Sequence, residues 1–221
     1  MRVLLSWSSG KDSAYSLHVL RQNVEVEVVG LLTTVNAAAN RVAMHAVRRD
    51  LLDAQAEAVG LPLLVVPLPS PCPNEVYEAA MAQALDEARE RGVEAVAFGD
   101  LFLTDVRRYR EERMAGTGLV PLFPLWGRPT RELALEMLAA GLRARISCLD
   151  PRVLPPALAG REFDRELLEA LPAGVDPCGE NGEFHTFAWD GPVFARPLPV
   201  RGGEVVTRDG FVFADLLPAE A

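Results

Sequence analysis

Apolar residues recur along this chain with periods that alternate between those of strands and those of helices. Arg2 to Trp7 is a short, almost unbroken apolar run that reads as a buried strand. Beyond the polar stretch Ser8 to Asp12, Ala14, Leu17 and Leu20 recur every third residue and predict a helix from Ser13 to about Arg21. Glu25 to Thr33 reads as a second strand. Met44, Val47, Leu51 and Leu52 fall on one face of a helix predicted over about Arg41 to Val59, with Gly60 and Pro62 as its stop signal. Leu63 to Val66 is the third strand. The prolines of Pro67 to Pro73 remove backbone donors, so a loop is expected there, leading into a helix capped by Asn74 and ending at Gly92. Val93 to Phe98 is a fourth strand that ends in Gly99-Asp100, and a helix over Val106 to Met114 follows.

Composition changes around Pro121 to Pro129, where Pro, Trp and Gly accumulate. Thr130 then caps a helix ending at Gly141, and Leu142 to Cys148 reads as a strand. Two β-prone runs within Val205 to Ala214 flank Arg208-Asp209-Gly210, the pattern of a hairpin. Alternating strands and helices predict an α/β fold with a Rossmann-like parallel sheet over residues 1–128, followed by a smaller α+β lobe over 129–221. In open parallel sheets ligands bind beyond the carboxyl ends of the strands, so Asp100 is expected at a binding edge.

Charge and cysteine content narrow the classes. The 221 residues carry 31 acidic against 22 basic side chains, a formal charge of -9, which argues against a broad nucleic-acid footprint because phosphate backbones are held by clustered Lys and Arg. No apolar run approaches a membrane span, and the first residues do not form a signal peptide, so a soluble cytoplasmic protein is the expectation. Cys72, Cys148 and Cys178 form no CxxC pair, and reduced thiols are expected. Lys11 is the only lysine among the 22 basic residues.

Ser8-Ser9-Gly10-Lys11-Asp12-Ser13 joins a strand to a helix, so its amides and hydroxyls converge on a helix N-terminus, where the dipole favours anions. A Walker A loop is ruled out by Leu5 and Asp12, which stand where that motif needs glycine and Ser or Thr. No GxGxxG fingerprint is present either. The segment resembles the SGGxDS signature of the PP-loop ATP pyrophosphatases, with Ser9 in place of the usual first glycine. Within that group, Phe98-Gly99-Asp100-Leu101-Phe102-Leu103-Thr104-Asp105-Val106-Arg107-Arg108-Tyr109-Arg110 and Gly179-Glu180-Asn181-Gly182-Glu183-Phe184-His185-Thr186-Phe187 resemble the diphthine-ammonia ligase family.

The resemblance implies an adenine nucleotide alpha-hydrolase-like fold and an acyl-adenylate mechanism with ATP and magnesium. ATP reacts with a carboxylate acceptor, pyrophosphate leaves, and ammonia displaces AMP to give an amide. It carries over Ser8, Ser9, Gly10, Lys11, Asp12 and Ser13 as phosphate-binding residues, with Gly99 and Asp100 near the nucleotide. Lys11 is expected to neutralise charge on the departing pyrophosphate, and Asp12 either to orient the loop or to hold magnesium. The acceptor is a small molecule or a protein side chain, and a homo-oligomer is compatible with the sequence.

Three readings of the later block remain open. Glu180, Asn181, Glu183, His185 and Thr186 form an acceptor and ammonia site by resemblance, with Glu183 and His185 as catalytic groups on one face of an extended segment. Glu180, Glu183 and His185 as metal ligands, or a polar turn satisfied by its own backbone, are the alternatives. Cys178 is either a thiol nucleophile or a small buried apolar group. His18 and His45 fall in predicted helices and suggest no role. Arg107 to Arg113 reads as a solvated helix face, or as a segment that closes over the nucleotide. The competing functions are a PP-loop sulfur transferase acting on tRNA and a non-catalytic ATP-binding sensor.

Overall fold

The computed structural model describes residues 1–219, so Glu220 and Ala221 of the expected second lobe lie outside the described residues. The chain runs through β1 (Arg2–Ser6), α1 (Lys11–Arg21), β2 (Glu27–Asn36), β3 (Arg41–Val42), α2 (Arg49–Val59), β4 (Leu63–Leu68), α3 (Asn74–Glu90), β5 (Ala95–Ala97), α4 (Thr104–Met114) and β6 (Val120–Leu122). The parallel strands lie in the order β4, β2, β1, β5, β6, with β3 added antiparallel to β2. From β1 the chain winds outward through β2 and β4, then returns to β5 on the opposite side. That reversal opens a crevice at the carboxyl ends of β1 and β5, the switch point of a doubly wound sheet.

Period-two alternation explains how β1 is buried on both faces. Val3, Leu5 and Trp7 enter one core and Leu4 the other. The second core is completed by Leu32, Val66, Val96 and Phe98 against Leu85 and Ala88 of α3.

The remaining elements are α5 (Thr130–Ala139), β7 (Arg143–Leu149), α6 (Arg165–Ala170), β8 (Phe184–Asp190), β9 (Val200–Arg208) and β10 (Phe211–Pro218). Their strands form an antiparallel sheet in the order β8, β7, β10, β9. Asp209 and Gly210, at φ 52° and 82°, make the tight turn of the β9–β10 hairpin. The two sheets share one core, in which Val3, Leu5 and Trp7 pack in the same cluster as Ile146, Leu149, Phe184 and Phe187.

Four expectations change. The helix predicted over Arg41 to Val59 begins only at Arg49. Asn40, Met44 and Ala46 instead take left-handed φ of 51°, 63° and 55°, and Met44 is 71% exposed. Bonds to other elements override the helical period there: Ala43 N–H donates to Thr34 O of β2 and His45 Nδ1 lies 3.1 Å from Thr186 O of β8, while Val42 N–H closes the turn on Val47 O. The loop expected from Pro67 begins two residues past it, at Pro69, because β4 continues to Leu68; as an edge strand it tolerates a residue without an N–H. Pro121 likewise lies inside β6, an edge strand the composition hid. Finally, Pro73 and Pro129 precede the helices at Asn74 and Thr130, which are first helical residues rather than caps.

Candidate active site

A cleft of about 630 Å³ opens at the switch point, lined by Ser8, Asp12 and Ser13 of the first loop and by Gly99 and Asp100 after β5. Its far wall is Glu180, Phe184, His185 and Thr186, and His45 also reaches it. Ser13 Oγ donates to Gly10 O at 2.9 Å and lies 3.3 Å from Ser8 Oγ, while Gly10 N–H donates to Ser8 Oγ at 3.3 Å. The first-turn N–H groups of α1 have no intrahelical acceptor, so the loop opens onto the cleft as an anion-binding helix end.

Close approach favours glycine at the two positions where the phosphate loop meets its neighbours. A Cβ on Gly99 would stand 3.2 Å from the Asp12 carbonyl carbon and 3.3 Å from Ser13 N, so its absence lets the end of β5 touch the start of α1. A Cβ on Gly10 would stand 2.9 Å from His45 Cε1 and 3.3 Å from Thr186 O.

The loop faces two ways. Ser9 and Lys11 turn from the cleft toward the second sheet. Ser9 takes φ 70°, where the resembled signature has glycine, and its O accepts from Ala188 N–H at 2.9 Å and from Gln55 Nε2 at 3.1 Å. Its Oγ is buried without a partner. Gln55, fully buried, also donates to Ala188 O and accepts from Trp7 Nε1, tying α2, β1 and β8 to the loop. Lys11 N–H donates to Thr186 Oγ1 at 3.1 Å.

Lys11 itself is 1% exposed. Its ammonium donates to the Asp12 carboxylate at 2.8 Å and to the Cys178 carbonyl, and lies about 5.4 Å above the Phe184 ring and 5.5 Å above that of Phe163. Burial is the largest single influence and works against the charge, but the Asp12 carboxylate together with Cys178 and Glu180 outweighs it and raises the ammonium above its ordinary range. Lys11 does not line the cleft.

The later block divides in the same manner. Glu180 faces the cleft, accepts the Leu101 N–H at 2.7 Å, and is pushed up to about 7 by burial, with Asp12 and Asp100 adding to the shift. Glu183 instead points into its own loop. Its carboxylate accepts from Asp176 N–H at 2.9 Å and from Asn181 N–H and Nδ2 at 3.0 Å each, and neither Glu183 nor Asn181 lines the cleft. Asp176 holds the preceding turn by accepting from the N–H groups of Cys178 and Glu180. The face that Glu183 and His185 were expected to share is not formed, since β8 begins at Phe184 and leaves Glu183 in the preceding turn, while the register shift with β7 comes from an extra residue at Ser147 of β7. Cys178 is buried, donates to Thr130 O, and is pushed up to about 12 by burial, which leaves it a neutral thiol.

His45 carried no signal in the sequence, because its neighbours fit a helical period. It accompanies His185 at a ring distance of 4.6 Å, and its Nδ1 is 3.1 Å from Thr186 O. A carbonyl accepts only from an N–H, so Nδ1 carries the proton and Nε2 offers its lone pair. Burial lowers His45 to about 4 and His185 to about 3, which keeps both imidazoles neutral at pH 7. Of the α4 arginines, Arg110 lines the cleft, 4.7 Å above Phe98 and 3.4 Å from Asp100, whereas Arg107 and Arg108 pair along the helix with Glu111 and Glu112. His18 lies on the surface of α1 beside Gln22.

Residues 1–119 match the family model described as the diphthamide synthase N-terminal domain, and residues 130–213 match that of its C-terminal domain. The chain belongs to the diphthamide synthase family. Membership makes it an ATP-dependent ligase, in agreement with the signature at Ser8 to Ser13. Among similar proteins, the diphthine-ammonia ligase of Bos taurus is 30% identical, the match covering 97% of this chain and 88% of that protein. That of Danio rerio is 30% identical over 97% and 92% of the two chains, and that of Homo sapiens 29% identical over 97% and 88%. No helix among the described residues is long and apolar enough to cross a membrane.

Proposed function

We propose that this ligase cleaves ATP between its α and β phosphates to adenylate a carboxylate, which ammonia then converts to an amide. The observation that carries the reading is the glycine-containing turn at the head of α1, opening onto the switch-point cleft of a family whose relatives are named for joining ammonia to diphthine. Ser8, Gly10, Asp12 and Ser13 hold the phosphates, with Gly99 and Asp100 beside the nucleotide. Lys11 acts from behind the loop, fixing Asp12 and lending a positive field to the helix end rather than touching the leaving pyrophosphate.

The acceptor carboxylate attacks the α-phosphorus, and pyrophosphate departs with both electrons of the broken bond. Ammonia then attacks the acyl carbon, AMP leaves, and one proton is shed. Neutral His185 and His45 have free nitrogens for that proton, but burial makes them weak bases that take it only from the adduct, where bonding to carbon has made the attacking nitrogen acidic, and not from free ammonium. Glu180, poised near 7, supplies a carboxylate to hold an ammonium ion until it is deprotonated. Glu183 and Asn181 act as positioning residues for the loop that presents Glu180.

Magnesium enters with the nucleotide in this reading. Among the described residues no three His, Cys, Asp or Glu side chains converge as a metal cage, and this ion is commonly held by one or two carboxylates plus phosphates, a part that Asp12 and Asp100 of the cleft lining would fit.

The experiment is product analysis. ATP, ammonium and a panel of carboxylates that includes a diphthine-bearing protein are incubated with the chain. Pyrophosphate and AMP should appear in equal amounts, Asp12→Ala should abolish both, and His185→Ala should keep ATP binding while losing the amide. ADP and orthophosphate as products would overturn the reading, and so would ATP binding with no turnover of any acceptor.

A further inference from the structure

β9 is the outermost strand of the second sheet. It pairs with β10 along one edge, and no described strand pairs with the other. Every residue from Arg201 to Arg208 is exposed, including Val205 at 53% and Val206 at 38%. Such an edge presents a row of unpaired N–H and C=O groups, which folded proteins normally guard with proline, lysine, short length or a bulge. The guards are thin on β9. It spans nine residues without proline or lysine, and the irregularity in its pairing with β10 falls between Ala214 and Leu216, leaving Val205 to Arg208 in regular register.

The charges on this edge are self-complementary. Glu204 and Arg208 lie two residues to either side of Val206. Two copies related by a two-fold axis normal to the sheet keep their faces aligned, so a residue can oppose only one of the same parity. Centred on Val206, that symmetry sets each Glu204 against the other copy's Arg208, Val205 against Thr207, and Val206 against itself. Opposite charges directly across a strand pair attract, and β-branched residues pack there. The Arg208 guanidinium already lies 5.0 Å above the Phe213 ring, with Asp209 3.9 Å away, which holds it on that face. An unrelated strand would need the reversed charge order by coincidence, whereas a second copy has it by symmetry.

We propose that the chain forms a two-fold dimer through antiparallel pairing of β9 with β9 of a second copy, joining two four-stranded sheets into one of eight. The proposal is independent of the ligase mechanism. It does bear on the site, because Asp215 of β10 holds Arg41 at 2.9 Å and Arg48 at 2.6 Å, the residues at either end of the turn that carries His45.

Sedimentation equilibrium of the full chain tests it. The expected mass is twice the 24.0 kDa of one chain at high micromolar concentration, falling toward one chain on dilution. Glu204→Arg and Arg208→Glu should each weaken the dimer by about tenfold or more, since two symmetric attractions become repulsions. The double variant E204R/R208E should restore it. Thermal unfolding unchanged at a dilution where parent and variants are all single chains, together with unchanged ATP affinity, establishes that only association has moved. A monomer at every concentration, single variants that dimerise as tightly as the parent, or a double variant that stays apart would each overturn the proposal.

Discussion

The Ser8–Ser13 loop and the Asn40–Val47 turn deliver polar groups to the same cleft, yet they are held in opposite ways. The loop lies between a buried strand and a helix, and its direction follows from those neighbours in sequence. Small residues allow it to bend, and only Ser9 departs from ordinary backbone angles. The turn takes left-handed φ at Asn40, Met44 and Ala46, none of them glycine, which costs free energy that bonds within the turn, such as Val42 N–H to Val47 O, offset only in part. It persists because β2, β8 and Asp215 grip it from outside. Strain of this kind on both sides of His45 sets the direction in which the imidazole faces the cleft.

Breaking the loop from behind has the largest expected effect. Lys11→Ala leaves the Asp12 carboxylate and the Cys178 carbonyl without their cation and empties a buried site, so stability should fall by about 3 kcal/mol in urea titration. An unchanged midpoint with lost pyrophosphate release would instead make Lys11 a phosphate ligand that swings into the cleft.

A smaller effect separates the turn from the loop by pH. His45 and His185 titrate in the folded protein at about 4 and about 3, below the ordinary imidazole value of about 6.5. The unfolded chain therefore binds protons that the folded one does not. The stabilisation is complete above about pH 6.5 and fades as the pH falls toward 4 and below. Both rings are half-buried, so the loss at pH 5 relative to pH 7.5 should be on the order of 1 to 2 kcal/mol, read from urea midpoints. His45→Gln with His185→Gln should flatten that dependence, and a persisting slope would assign it to other groups.

The smallest effect has a diagnostic sign. Met44→Gly should stabilise by roughly 0.5–1 kcal/mol, because glycine accepts φ 63° without strain, and Ser9→Gly should do the same at φ 70°. Were Met44 in the helix that its spacing suggests, glycine would destabilise by about 1 kcal/mol in the same thermal melts.

Much of the molecule was readable from neighbouring residues. The strand-loop-helix at Ser8–Ser13, Gly99-Asp100 at the end of β5, and the Asp209-Gly210 hairpin each rest on interactions within a few positions of one another. The helix over Arg41–Val59 was misread for the same reason, because Met44 and Val47 fit a 3.6-residue period while the bonds that defeat it come from Thr34, Thr186 and Asp215. Gln55 looked like any polar helix residue, although it is the buried link between Trp7, Ser9 and Ala188.

Residue order alone thus determined where the chain can grip an anion, since a helix N-terminus after a buried strand has that property wherever it is placed. Tertiary packing decided which way each side chain of that grip faces. It buried the one lysine behind the loop, turned Glu183 inward, and brought His45 across 140 positions to His185. The physical reason is range: backbone preferences act over one helical turn, whereas burial of a charge or fixing of an imidazole depends on partners that only the folded core brings within 3 Å or so.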